Sequence, residues 1–378
     1  MKILHVYKTF INDTMGGTEQ VLAQFVATPH PTEFDYTVLS LTRQSARHAP
    51  RYIEGFRGIK NLRYPEQLSI ASNSMSWQML RDFPRVVQDF DLIHYHFPWP
   101  FADLLHLSWR IRKPSIVTYH SDVVRQKLLL RCYAPLMHRF LGSMQAIVAT
   151  SPQYLASSPV LQTYRDKTVV IPLGIDRHTY PQPSAERIAY WKQRFGERFF
   201  LFVGMMRYYK GLPILLEAVQ GTNYPLLLVG QGPCEQALQE QAQQLNLPNV
   251  HFLGNVSEED KMALLHLCLA LVFPSVQRSE AFGVSLLEAS MLKKPMISTE
   301  LGTGTSYVNL HDTTGLVVPP NDVAALRAAL AQMWRDPEQA ASMGQAAALR
   351  HQALFTGQQM IQSYEDLYRQ VLKPRDLS

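Results

Sequence analysis

FFLFVGMMRYYKGLPILLEAV, Phe199 to Val219, reads as a strand, a glycine corner and a helix. Phe199–Val203 is apolar without a break, the pattern of a strand covered on both faces of a parallel sheet. Gly204 closes that run, and Leu212–Val219 spaces its apolar residues as a helix does. Arg207 and Lys210 stand three apart on the connection, at the carboxyl end of the strand, where open α/β sheets hold their ligands.

The same alternation continues on both sides of this stretch. Downstream, strands are expected at Leu226–Val229, which ends on Gly230-Gln231-Gly232, and at Val250–Leu253, Leu269–Phe273, Pro295–Ser298 and Gly315–Val318. Upstream, Lys2–Tyr7 reads as a strand, Gly16-Gly17 as a turn, and Thr18–Val26 as a helix. Further strands are read at Tyr36–Leu41, Leu92–Tyr95, Ser115–Tyr119, Ala146–Ala149 and Val169–Ile171, with helices at Ser76–Gln88 and Lys127–Leu141 between them. The pattern lapses from Gly174 to Pro183, a linker, and then restarts. Strand–helix alternation argues for parallel sheets covered on both faces, and two successive sets argue for two Rossmann-like, doubly wound α/β domains with an interdomain cleft. The expected boundaries are 1–178 and 179–357, with a C-terminal helix, 358–378, joining the first domain.

With 378 residues the chain is long enough for two cores. No apolar run approaches the ~20 residues of a membrane-spanning helix. The opening MKILHVYKTF lacks the long apolar segment and cleavage site of a signal peptide, so a cytosolic location is expected. Cys132, Cys234 and Cys268 form no CxxC pair, which argues for reduced packing thiols rather than a disulfide framework or a zinc site. Residues 1–178 carry 20 basic against 13 acidic groups, whereas the remainder carries 16 against 18. The first half is therefore expected to meet something anionic, or to carry a merely solvated basic face.

Three motifs carry chemistry. Gly16-Gly17 lies between a strand and a helix, where glycine lets backbone approach a ligand and the helix N-terminus offers free N–H groups to a phosphate. It is not GxGxxG, and no acid ends the second strand, which counts against a nicotinamide enzyme. Arg207 and Lys210, framed by Gly204 and Gly211, combine a planar guanidinium with a mobile ammonium and suit a diphosphate. Glu280 and Glu288 flank Phe282-Gly283-Val284; Glu280 is expected in the loop before a helix and Glu288 within it. Glu288 sits in an apolar run, and a carboxylate there is costly without a partner; sugar and ribose hydroxyls would serve.

These motifs together resemble the retaining GT-B glycosyltransferases of family 4. The match comprises Gly16-Gly17-x-Glu19, His120 in Thr118-Tyr119-His120-Ser121-Asp122, and Ile171-Pro172-Leu173-Gly174-Ile175-Asp176, and continues through Gly204-x-x-Arg207-x-x-Lys210-Gly211, Glu280 to Glu288, and Thr314–Pro319. The resemblance implies that Arg207 and Lys210 hold the donor diphosphate, Glu280 contacts the transferred sugar, Glu288 contacts the ribose, and His120 faces the sugar from the first domain. Backbone at Gly17 and at Phe282, Gly283 and Val284 would line sugar and phosphate. The base would lie between Gly232 and Val256. One position departs from the pattern, since Asn309 stands where an acid is often found. The Leu301–Asn309 stretch and the opening His5–Thr9 are similar to bacterial O-antigen enzymes that use GDP-mannose or GDP-D-rhamnose.

The remaining candidates have structural readings. Asp89-Phe90-Asp91 matches a DxD metal pattern, but Asp91 precedes a strand and a turn role is expected. His94 and His96 stand two apart on a strand face with no third ligand in view, so no metal site is expected. Trp109–Lys113 and Arg125–Arg131 are basic; the second is either an amphipathic surface for anionic lipid or a core-facing helix with basic solvent residues. No nucleic-acid motif accompanies the charge. The resulting expectation is a metal-independent transferase with no cofactor beyond its nucleotide-sugar donor, GDP-sugar favoured over UDP-sugar. Its acceptor would be a polyprenyl-diphosphate-linked saccharide, met by a peripheral protein at the cytosolic face of the inner membrane. A GT-B epimerase or phosphorylase, or a non-catalytic nucleotide-sugar-binding partner, is the alternative.

Overall fold

The computed structural model describes all residues except 12, 14–15, 28–32, 44–50, 56–58, 71–72, 124–126 and 374–378, and the backbone alone at 26–27, 51–55, 59 and 127–130. The chain divides into two compact units, Met1–Gly174 with Gly357–Ser378, and Ile175–Thr356.

The first unit is built on β1 (Lys2–Val6), β2 (Asp35–Thr42), β3 (Arg51–Gly55), β4 (Ile59–Pro65), β5 (Leu68–Ile70), β6 (Asn73–Met75), β7 (Leu92–Phe97), β8 (Ser115–Tyr119), β9 (Ala146–Ala149) and β10 (Thr168–Val170). Eight of them form one sheet in the order β10-β9-β8-β7-β1-β2-β4-β3, and β5 pairs with β6 apart from it. Every pair in the large sheet is parallel except β3 with β4. β1, β7, β8 and β9 are buried along almost their whole length, which is why they read as apolar runs. The helix Gly357–Leu372 packs on this unit: Tyr364 and Tyr368 reach Thr118 and His94, and Glu365 accepts from the Tyr36 hydroxyl at 2.9 Å.

The segment from Arg51 to Met75 departs from the sequence reading, which placed no strand there. β4 carries the buried polar residues Asn61 and Arg63 on the inner course of the sheet. Asn61 Oδ1 accepts from the Ser40 hydroxyl at 3.2 Å, and Arg63 forms an ion pair with Asp13. Partners from distant loops let polar residues occupy strand positions that composition alone assigns to a loop.

The second unit carries β11 (Phe200–Val203), β12 (Leu226–Val229), β13 (Val250–Gly254), β14 (Ala270–Phe273), β15 (Met296–Thr299) and β16 (Gly315–Val318). They form one parallel sheet in the order β13-β12-β11-β14-β15-β16. Its core joins Phe200, Phe202, Leu226, Leu228 and Val272 to Leu215, Leu216, Leu330 and Met333 of the covering helices. Ser184, Ser257 and Asp322 cap three of the helices by accepting from the backbone N–H three residues on. Asn309 is fully buried: its amide nitrogen donates to Met296 O, Ser298 Oγ and Leu316 O, tying β15 to β16. The position therefore works as a neutral clamp, and a carboxylate would lack that donor.

Both units are Rossmann-like. In each sheet the order reverses once, between β1 and β7 in the first unit and between β11 and β14 in the second. The carboxyl ends of strands flanking such a reversal leave a crevice suited to ligands.

Candidate functional site

In the second unit the residues singled out from sequence gather at the reversal between β11 and β14. β11 ends at Val203, and its connection carries Arg207 just before the 3₁₀ turn Tyr208–Lys210. Gly211 follows with φ +67, a left-handed conformation, and its Cα faces the Pro274 carbonyl so closely that a Cβ would collide with it. A side chain there would separate the two strand ends. Gly283, at φ +94, caps the helix Val284–Met291 with the Phe273 ring 3.0 Å from where its Cβ would be.

Lys210 is buried and its Nζ is hydrogen-bonded to Glu280 Oε2. The same carboxylate oxygen accepts from the Ser275 hydroxyl at 3.1 Å, and Thr303 Oγ1 donates to the Glu280 carbonyl at 2.8 Å. The ammonium also lies 4.5 Å from the centre of the Phe273 ring. Arg207, in contrast, is exposed; its Nε lies 2.9 Å from the Met205 sulfur, and it has no carboxylate partner among the described residues. The site thus presents one unneutralised guanidinium beside an ammonium already oriented by a glutamate. Met206 backbone abuts Gly232, half-buried Val256 follows β13, and Phe282 is buried against the Phe355 ring.

Glu288 is 2% exposed, and Lys261 Nζ donates to its Oε1 at 2.7 Å. Lys261 also bridges Glu258 at 2.8 Å. Burial holds the Glu288 carboxyl above the ordinary carboxylate range, with Lys261 pulling the other way. The chain therefore supplies the partner that a buried glutamate requires, and the ribose role of Glu288 rests on the resemblance rather than on that cost. Lys261 went unnoticed in the sequence because a lysine in a helix, here Glu258–Leu267, ordinarily faces solvent.

In the first unit the reversal lies beside Gly16, Gly17 and His120. Gly17 opens the helix Gly17–Ala27. Glu19 in its first turn folds back beneath Gly16 and accepts from the Thr9 hydroxyl. Burial raises the Glu19 pKa, with Thr9 and Lys8 opposing. His120 follows β8 directly, its N–H donating to Phe97 O at 2.9 Å. Behind it lie His96, His94 and His5, all buried, the last brought alongside His94 by the β1–β7 register. His5 is the third histidine that the sequence did not reveal as a neighbour, because register between distant strands is not written locally. Both nitrogens of His94 are engaged by Tyr368 and Thr118, and both of His96 by His5 and His120.

Asp91 takes the turn role: its Oδ2 accepts from Lys2 N at 2.7 Å, and its own N–H donates to Lys2 O at 2.8 Å. In the first basic stretch, Trp109 donates to Leu80 O and Lys113 to Gln88 O. The side chains of the second stretch, Arg125 to Leu130, lie outside the described residues. Among the described residues no helix is long and apolar enough to cross a membrane.

Comparison with known proteins gives a consistent picture. Residues 15–179 match the family described as Glycosyltransferase Family 4, and residues 188–350 that described as Glycosyl transferases group 1. D-rhamnosyltransferase WbpZ of Pseudomonas aeruginosa is 51% identical over 94% of this chain and 92% of its own. O-antigen chain mannosyltransferase C of Escherichia coli is 44% identical over 99% of this chain and 100% of its own. Among solved structures, sucrose-phosphate synthase from Thermosynechococcus elongatus superimposes with a TM-score of 0.76 at 22% identity, covering 98% of each chain, which shows the fold.

Proposed function

The chain belongs to the family 4 glycosyltransferases of GT-B fold, and from that premise we propose that it moves a hexose from a nucleotide-diphosphate donor to a glycan hydroxyl in O-antigen assembly. The observation that carries this reading is the exposed Arg207 guanidinium, without a carboxylate partner among the described residues, near the Lys210–Glu280 pair at the β11–β14 reversal. A diphosphate leaving group gains negative charge as the glycosidic bond breaks, and fixed cations stabilise that charge more in the transition state than in the ground state. Arg207 supplies a planar fork for phosphate oxygens, and Lys210, restrained by Glu280, supplies a second positive charge without a metal.

Glu280 is held by Lys210 and Ser275, and in this reading it contacts the transferred sugar. Attack by the acceptor hydroxyl on the face of the leaving phosphate retains configuration, and the departing phosphate oxygen takes the proton. The donor is GDP-mannose or GDP-D-rhamnose, a choice supported by relatives described as a D-rhamnosyltransferase and an O-antigen mannosyltransferase. The acceptor is a polyprenyl-diphosphate-linked saccharide, reached from the cytosolic face of the membrane.

The test is a donor panel of GDP-, UDP- and ADP-hexoses with purified protein and a synthetic lipid-diphosphate-linked saccharide. Transfer from a GDP-hexose with the anomeric configuration kept is expected. Inversion, or transfer from no donor in the panel, would remove the reading.

A further inference from the structure

We infer that a buried row of imidazoles, His5–His96–His120, fixes the tautomer of His120 so that its Nδ1 carries the proton and acts as a hydrogen-bond donor toward bound ligand. His5 and His96 are positioning residues in this arrangement. The inference rests on the proposed sugar-facing role of His120 only for the identity of the ligand.

The geometry is a relay of two hydrogen bonds. His5 Nδ1 lies 3.1 Å from His96 Nε2, and His96 Nδ1 lies 2.9 Å from His120 Nε2. The rings lie edge to edge along the row, with centroids 5.4 and 5.2 Å apart and planes inclined by 24° and 18°. Desolvation pulls His5 and His120 down to about 3, and His96 well below the ordinary imidazole range, so all three are neutral at physiological pH. A neutral imidazole has one donor and one acceptor nitrogen. Two tautomer sets therefore satisfy both hydrogen bonds, and they run in opposite directions.

The far end of the row decides between them. His5 Nε2 is buried and has no hydrogen-bond partner. Its surroundings are the rings of Phe25, Tyr36 and His94, at 4.6, 5.7 and 4.7 Å. If His120 Nε2 were the donor, each imidazole would pass its proton inward, and a buried N–H would end at His5 Nε2 without an acceptor. In the opposite direction that nitrogen carries only a lone pair. An orphaned buried N–H is the rarer and costlier of the two. His5 Nδ1–H then donates to His96 Nε2, His96 Nδ1–H donates to His120 Nε2, and the remaining proton of His120 sits on Nδ1. That nitrogen has no partner in the protein among the described residues. It therefore offers a neutral donor to an oxygen with a free lone pair, such as a sugar hydroxyl, without adding a charge to the site.

The tautomer is read directly by ring-nitrogen NMR on protein labelled with ¹⁵N-histidine, without donor or acceptor. His120→Asn identifies the His120 signals by their loss. The expected pattern in the wild-type protein is a protonated Nδ1 and a bare Nε2 on His120. His5→Asn puts an amide, which can either donate or accept, in the place of the imidazole Nδ1; the direction is then no longer set, and the His120 signals should show both tautomers. A protonated Nε2 with a bare Nδ1 in the wild-type protein would overturn the inference, and would mean that His5 Nε2–H is accepted by the face of Phe25. An unchanged His120 pattern in His5→Asn would overturn it equally. Because these spectra need no turnover, a failed donor panel with the expected pattern intact would count against the proposed transfer and not against the relay.

Discussion

Replacing Lys261 by methionine should destabilise the Ile175–Thr356 unit in a pH-dependent way. Glu288 is 2% exposed and has Lys261 as its cationic partner at 2.7 Å. Removing one member of a buried ion pair costs about 3–5 kcal/mol, because the other is left uncompensated. A unit spanning Ile175–Thr356 loses about 2–4 °C in Tm per kcal/mol, so the expected deficit is about 6–20 °C. Burial already holds the Glu288 pKa above that of the unfolded chain, and loss of Lys261 raises it further. A raised carboxyl pKa means the folded state binds the proton more tightly. The neutral form's stability is then fully present below the unfolded pKa and is lost as pH rises through the folded one. The Tm deficit of Lys261→Met should accordingly be greater at pH 8 than at pH 5. Adding Glu288→Gln should recover most of it, since two neutral side chains leave no buried charge. Scanning calorimetry at the two pH values, on wild type and the two variants, provides the measurement. A deficit below about 2 °C at pH 8, or one greater at pH 5, would refute the reasoning.

Two further outcomes follow from buried groups. Asn309→Leu removes the amide that joins Met296 O, Ser298 Oγ and Leu316 O, and should cost about 2–4 kcal/mol by leaving buried acceptors unpaired; urea unfolding checks it, and an unchanged midpoint would contradict the clamp. Cys132 is exposed whereas Cys268 is buried with its thiol pushed up to about 11, so a maleimide at pH 7 should label Cys132 and leave Cys268 intact in the native protein, as read by peptide mass mapping.

Much of the second sheet was legible because its strands are covered on both faces and announce themselves as short apolar runs with a glycine at one end. Leu226–Val229 and Gly315–Val318 are such runs, and they fall where the pattern put them. β4 was not legible: Asn61 and Arg63 look like loop residues until Ser40 and Asp13 are brought to them by the fold. The site shows the same limit. Arg207, Lys210 and Glu280 could each be picked out by residue type and place, and Glu280 does precede its helix while Glu288 lies within it. That Lys210 and Glu280 bind each other across 70 residues of sequence could not be read, nor that Glu288 has Lys261. Such pairings depend on which strands become neighbours at the order reversal, a long-range property with no local signature. The histidine row is the extreme case, since His5 lies on β1, His96 on β7 and His120 just past β8, and only the folded sheet defines their register.

The proposed diphosphate site depends on Arg207, an exposed cation without a carboxylate partner among the described residues. Its most direct measurement is calorimetric binding of GDP and of guanosine to wild type and Arg207→Ala, with the unfolding midpoint recorded for both. GDP should bind about 10–100-fold more weakly to the variant, the loss of one charge-assisted hydrogen-bonding group, while guanosine affinity and the midpoint stay the same. Equal GDP affinity in the two proteins would contradict it.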